Sequence, residues 1–145
     1  MEEAYKTINQ VLVELINEIW DQEKKAIITE EFKDLSNNDM HVIEAVGLGE
    51  GKNMTSIARE LKITVGSLTT AMNSLVKKQY VERYRSKKDR RVVFVKLTDK
   101  GVRAYQHHEE YHRQMSQAIL DRLDDEELSV LLKTLDILKG FFRGS

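Results

Sequence analysis

Apolar residues recur at intervals of three and four along most of this chain, and the period falls to two only between Tyr80 and Leu97. A period near 3.6 lines residues along one face of an α-helix, and a period of two lines them along one face of a strand. That single switch dictates a largely helical fold with one β-hairpin. Tyr5, Ile8, Leu12, Leu15, Ile16, Ile19 and Trp20 form one stripe, predicting a long helix over residues 3–26. After a polar connection from Glu30 to Asp34, Ser36 with Asp39 at N3 predicts a capping box. The helix it opens turns Met40, Ile43 and Val46 inward and ends in a loop at Gly47, Gly49 and Gly51. Thr55 is expected to open a short helix, Ser56 to Leu61, and Thr64 to cap the next, from Val65 to about Lys78. Val81, Arg83 and Arg85 then share one face of a strand, and Val93, Val95 and Leu97 one face of a second. Thr98 caps a long helix to about Leu123, and Asp124 with Glu127 starts the last, striped with Leu128, Leu131, Leu132, Leu135, Leu138 and Phe142. The predicted class is mostly α: six helices and a two-stranded hairpin, without the proline that would interrupt long helices.

Composition narrows the functions open to such a fold. The 145 residues hold 23 Lys and Arg against 24 Asp and Glu, a formal charge of −1. At 41% hydrophobic and 32% charged, the chain is too apolar and too mixed in sign to stay disordered. No cysteine is present, which excludes disulfides, thiol nucleophiles, thiol redox sensing and Cys-ligated zinc. No apolar run approaches the roughly 18 residues a membrane span needs. The start is acidic, at Glu2 and Glu3, without a signal-peptide core, so a cytoplasmic location is expected. The whole-chain charge hides an asymmetry. Residues 54–103 carry 13 Lys and Arg and only Glu60, Glu82, Asp89 and Asp99, a net +9, which leaves −10 for the rest. A basic middle between acidic flanks points to a polyanion partner.

The two short helices carry the second signal. Ala58 is small enough for a helix crossing, and Ile57, Leu61, Ile63, Leu68, Met72 and Leu75 complete a small core. Left outside are Val65, Gly66, Ser67, Thr69, Thr70, Asn73 and Lys77. That face enters a major groove without steric penalty and, with Thr64, offers hydroxyls and an amide to bases and phosphates. Beside it, Arg85, Lys87, Lys88, Arg90 and Arg91 crowd the hairpin's end, where an arginine can enter a narrow minor groove. Asp89, out of place against a polyanion, accepts hydrogen bonds from Arg91 and fixes that guanidinium. Together these predict a winged helix-turn-helix that binds double-stranded operator DNA.

Ser56-Ile57-Ala58-Arg59-Glu60-Leu61, Leu68-Thr69 with Leu75, and Asp89-Arg90-Arg91 leading to Leu97-Thr98-Asp99-Lys100-Gly101 resemble the MarR family of winged-helix repressors. The resemblance covers the whole chain and implies a single domain over residues 1–145. Residues 36–101 would form the DNA-binding head, and residues 1–30 and 102–145 a helical dimerisation region. It implies a homodimer that reads half-sites about 34 Å apart. Gln79 departs from the family, which usually has glycine after the recognition helix. Further matches are Met40-His41 with Ile43 and Val46-Gly47, Thr64 to Thr70, Val81 to Ser86, Asp89 to Val93, and His108 with His112. These resemble the family's fatty-acid-synthesis repressors and imply a long acyl chain on acyl carrier protein as corepressor.

The ligand question stays open at this level. His108 and His112 are four apart on one helix face, and His41 comes from another helix. The three imidazoles fit a hydrogen-bonded polar cluster, a polar lining for an organic ligand, or a zinc site completed by Glu18, Glu23 or Glu109. Zinc-responsive members of the family use similar histidine positions. An acyl chain needs a dry tunnel, for which Leu15, Ile19, Trp20, Met40, Ile43, Tyr111 and Met115 are candidate walls, although each also serves as ordinary core. No resident cofactor is implied. An enzyme is not expected: His107, His108, Glu109 and His112 have no nucleophile nearby in sequence, and there is no Gly-rich phosphate loop.

Overall fold

The computed structural model describes residues 1–27 and 29–144. Six helices and three strands follow in the order α1 (Glu2–Ile27), α2 (Asn37–Val46), β1 (Lys52–Asn53), α3 (Met54–Leu61), α4 (Val65–Lys77), β2 (Val81–Arg85), β3 (Val93–Leu97), α5 (Asp99–Leu120) and α6 (Asp125–Arg143). Two compact units result, one over residues 1–108 and one from residue 109 onward. Among the described residues no helix is long and apolar enough to cross a membrane.

The caps act as their sequence predicts. Ser36 accepts from the Asp39 N–H while Asp39 accepts from the Ser36 N–H, and Asp124 with Glu127 repeats the arrangement at α6. Thr64 Oγ1 accepts from Ser67 N at 3.0 Å to start α4. Thr98 Oγ1 accepts from Gly101 N at 3.1 Å and donates to the Gln79 carbonyl at 2.6 Å, tying the start of α5 to the end of α4. One cap is corrected: Asn53, not Thr55, opens α3, its Oδ1 accepting from Ser56 N at 2.7 Å. With an extended Asn as the cap two residues earlier, the helix starts at Met54 and Ser56 supplies the N3 donor.

The sheet has three strands rather than the expected two, in the order β1-β3-β2, all antiparallel. Val81 faces Leu97, Arg83 faces Val95 and Arg85 faces Val93. The added strand, β1, pairs Lys52 with Val95 and Asn53 with Phe94. Gly51 makes this approach possible: at φ +113°, a Cβ there would lie 2.8 Å from the Val95 carbonyl oxygen.

The core of the first unit joins α2, α3, α4 and the sheet. Ile43, Ile57, Leu68, Met72 and Leu75 are wholly inaccessible there. Phe32, in the stretch expected to be a polar connection, and Leu35, just after it, are also buried. Ile63 is corrected from core to surface: Lys62 turns the chain in the left-handed conformation (φ +58°) and leaves Ile63 40% exposed. Two polar ties close this unit. Lys78 Nζ reaches Asp39 Oδ2 at 2.9 Å and the Asp34 carbonyl at 2.7 Å, and Tyr80 donates its hydroxyl to Asp34 Oδ1 at 2.5 Å. Burial first, then the neighbouring carboxylate, pushes the Tyr80 phenol well above the usual tyrosine range. In the second unit, α6 keeps a stripe of exposed apolar side chains, including Leu132, Leu135 and Phe142.

Candidate nucleic-acid interface

The turn between α3 and α4 is set by the αL residue Lys62, followed by the extended Thr64. It sends α4 off with Leu68, Met72 and Leu75 inward, so Val65, Gly66, Ser67, Thr70, Asn73 and Lys77 are exposed and Thr69 half-buried. The hydroxyls of Thr69 and Thr70 donate within the helix, to the Val65 and Gly66 carbonyls at 2.8 and 3.4 Å. Their oxygens keep acceptor capacity outward. Thr64 and Ser67 share the N-cap, their hydroxyl oxygens 2.9 Å apart.

The hairpin tip is held by its own polar groups. Ser86 N donates to the Val92 carbonyl at 2.9 Å, and Ser86 Oγ accepts from the N–H groups of Lys88 and Asp89 at 3.2 and 3.3 Å. Arg85 Nη1 donates to the Arg90 carbonyl at 2.7 Å, bracing the turn. Arg91 makes three bonds to Asp89: its backbone N–H and Nε to Oδ1 at 3.0 and 3.1 Å, and Nη2 to Oδ2 at 3.1 Å. The Arg91 side chain and backbone bonds hold the Asp89 carboxyl below the usual carboxylate range. An exposed pair of this kind adds little stability; its effect is to orient the guanidinium. Lys87, Lys88 and Arg90 are exposed around it.

Helix, wing and the start of α3 enclose a recess of about 600 Å³. Its rim takes Asn53, Ser56 and Arg59 from α3 and its cap, Thr69 from α4, Arg83 from the sheet and Arg91 from the hairpin tip. Arg59 and Arg83 were absent from the sequence-derived site. Arg83 shares a strand face with Arg85, and that alternation was the available signal; Arg59 had none beyond its charge. Asn73 is tied to the sheet, its Oδ1 accepting from Arg83 Nη1 at 2.6 Å.

The candidate effector residues are scattered by comparison. Met40 and Ile43 lie in the core, 1% and 0% exposed, while Leu15, Ile19 and Trp20 lie on the exposed face of α1. His41 is exposed on α2. His108 is buried, in contact with the Glu44 carboxylate through Nε2 and 3.6 Å from Glu23 Oε1. His112, one turn further along α5, packs edge-on to Tyr111 with ring centres 5.6 Å apart. Tyr111 and Met115 are half-buried in the second unit. Glu18 and Glu109 are exposed.

A helix-turn-helix with an open polar second helix, beside a basic hairpin that points an oriented arginine outward, defines a winged-helix DNA-binding regulator of transcription. The model of the transcriptional regulator SarA/Rot family matches residues 23–108, and the chain belongs to that family, within the MarR-type winged-helix regulators. The structure of Streptococcus pneumoniae FabT in complex with DNA is similar at 35% identity and a TM-score of 0.89, over 97% of this chain and 98% of that one. The transcriptional regulator AdcR of Streptococcus pneumoniae is 33% identical over 101 residues, 68% of each chain. The regulator PchR of Bacillus subtilis is 31% identical over 102 residues, 68% of this chain and 60% of that protein. The chain thus spans less than two thirds of PchR. AdcR and PchR are transcriptional regulators, and the FabT structure holds DNA.

Proposed function

We propose that the chain acts as a homodimeric repressor that reads operator DNA with α4 and the β2–β3 wing. In this reading residues 36–101 are the reading head, and residues 1–30 and 102–145 the dimerisation region. The observation that carries it is the wing. Arg91 is fixed by three bonds to Asp89, on the rim of the recess that α4 also lines. Thr64, Val65, Gly66, Ser67, Thr69, Thr70, Asn73 and Lys77 would meet the major groove; Arg85, Lys87, Lys88, Arg90 and Arg91 would meet the backbone and minor groove. A second copy is supported by α1, where Tyr5, Ile8 and Ile16 are 60–68% exposed on one stripe.

The regulated genes are those of fatty-acid synthesis, with a long acyl chain on acyl carrier protein as corepressor. The likeness to FabT along nearly the whole chain supports this. A zinc-responsive regulator is the second reading, favoured by buried His108 with Glu23 and Glu44 beside it, since imidazole and carboxylate suit zinc. Both are tested by gel shift on promoter duplexes of fatty-acid-synthesis genes, with acylated carrier protein, with free carrier, or with zinc. A rise in affinity with the acylated carrier alone is expected. A response to zinc alone would replace the first reading with the second. Equal affinity for promoter and random DNA in every arm would overturn both.

A further inference from the structure

The outward face of α4 carries an amide whose orientation is fixed by its neighbour. Asn73 Oδ1 accepts from Arg83 Nη1 at 2.6 Å. A guanidinium has donors and no acceptor, so only the carbonyl side of the amide can face it. The Nδ2 donors must point elsewhere, and this holds however the two amide atoms are assigned. Asn73 is exposed, with Thr69, Thr70 and Lys77 one turn away on the same face. Arg83 comes from β2, opposite Val95 of β3. The bond therefore couples the helix to the sheet as well as orienting the amide.

We infer that Arg83 sets the base preference of Asn73: by taking one lone pair of its carbonyl and fixing how the amide points, it biases Asn73 towards donating, which selects guanine over adenine. The inference rests on the reading of α4 as the major-groove helix. An unengaged Asn reads adenine with two bonds, accepting from N6 and donating to N7. The charge-assisted bond from Arg83 competes for the oxygen that adenine N6 requires. Guanine asks nothing of that oxygen, because its N7 and O6 are both acceptors. Cytosine offers its N4 donor to the Asn73 donors and is rejected. Arg83 is thus a positioning residue for specificity, separate from any phosphate it also touches.

The test measures relative affinities of the full-length chain for each base at every half-site position, by competition on an operator library. The wild type, Asn73→Asp and Arg83→Met are compared. Both side chains are exposed, and circular dichroism checks that the variants fold. In the wild type one position favours guanine over cytosine by about fivefold or more. Asn73→Asp, which has acceptors only, turns that position towards cytosine. Arg83→Met, which keeps the stem and removes the donors, turns it towards adenine. If Arg83→Met weakens every sequence equally and leaves the preference intact, or if wild-type Asn73 already reads adenine, the inference is overturned. A wild-type chain that binds no duplex overturns the regulator reading itself and this inference with it, so the wild-type arm separates the two failures.

Discussion

Asp89 is an acid in a segment of net charge +9, and its placement shows how a single residue converts charge into geometry. It neutralises part of the wing's charge but holds Arg91 by two side-chain bonds and one backbone bond. Arg91→Ala should cost about 1–3 kcal/mol of operator affinity. Asp89→Ala should lose part of that on the operator while random DNA binds no worse, because the variant is more basic. Fluorescence anisotropy on both duplexes checks this; an equal gain on both would show that orientation is irrelevant. Tyr80 offers a second residue-scale test. Its folded pKa lies above its unfolded one, so its contribution to stability is complete below the unfolded value, about 10. It is lost as pH rises beyond that, because the unfolded chain releases the proton first. Urea midpoints should therefore fall above about pH 10, and fall less in Tyr80→Phe. The Asp89–Arg91 bond was legible in the sequence because both partners lie two residues apart. The Lys78–Asp39 and Tyr80–Asp34 ties were not, because their partners are 39 and 46 residues distant.

Among the elements, the junction of α4, β2 and α5 explains why Leu97-Thr98-Asp99-Lys100-Gly101 ends in glycine. Gly101 begins α5 directly against the Tyr80 backbone, where a Cβ would collide with the Tyr80 carbonyl oxygen. Gly101→Ala should destabilise by about 3 kcal/mol or more, because backbone rather than a flexible side chain must move; chemical denaturation measures it. Gln79 shows the opposite case. It adopts φ +70°, the left-handed cap that the family usually fills with glycine. Gln79→Gly should raise stability by about 1 kcal/mol, and an unchanged midpoint would show that the surrounding bonds already absorb the strain. Long elements were readable from periodicity and caps, since each turn repeats the signal. β1 was not, because two residues carry no period and its pairing depends on Gly51. Asn53 displaced Thr55 as the cap for a related reason: both are good caps, and only the path of β1 decides between them.

On the scale of the whole molecule, the near-neutral charge of −1 resolves into a basic segment of +9 and a remainder of −10. The exposed apolar stripe of α1 was legible from its spacing of three and four. Periodicity marked Met40 and Ile43 as apolar, and the fold spends them on the core. A dimer that reads two half-sites with α4 and the wing should select a palindrome from a randomised duplex pool. The expected result is enrichment of half-sites about 10 base pairs apart, with an affinity that falls steeply with salt. Recovery of an unspaced single site, or no enrichment over the starting pool, would contradict it.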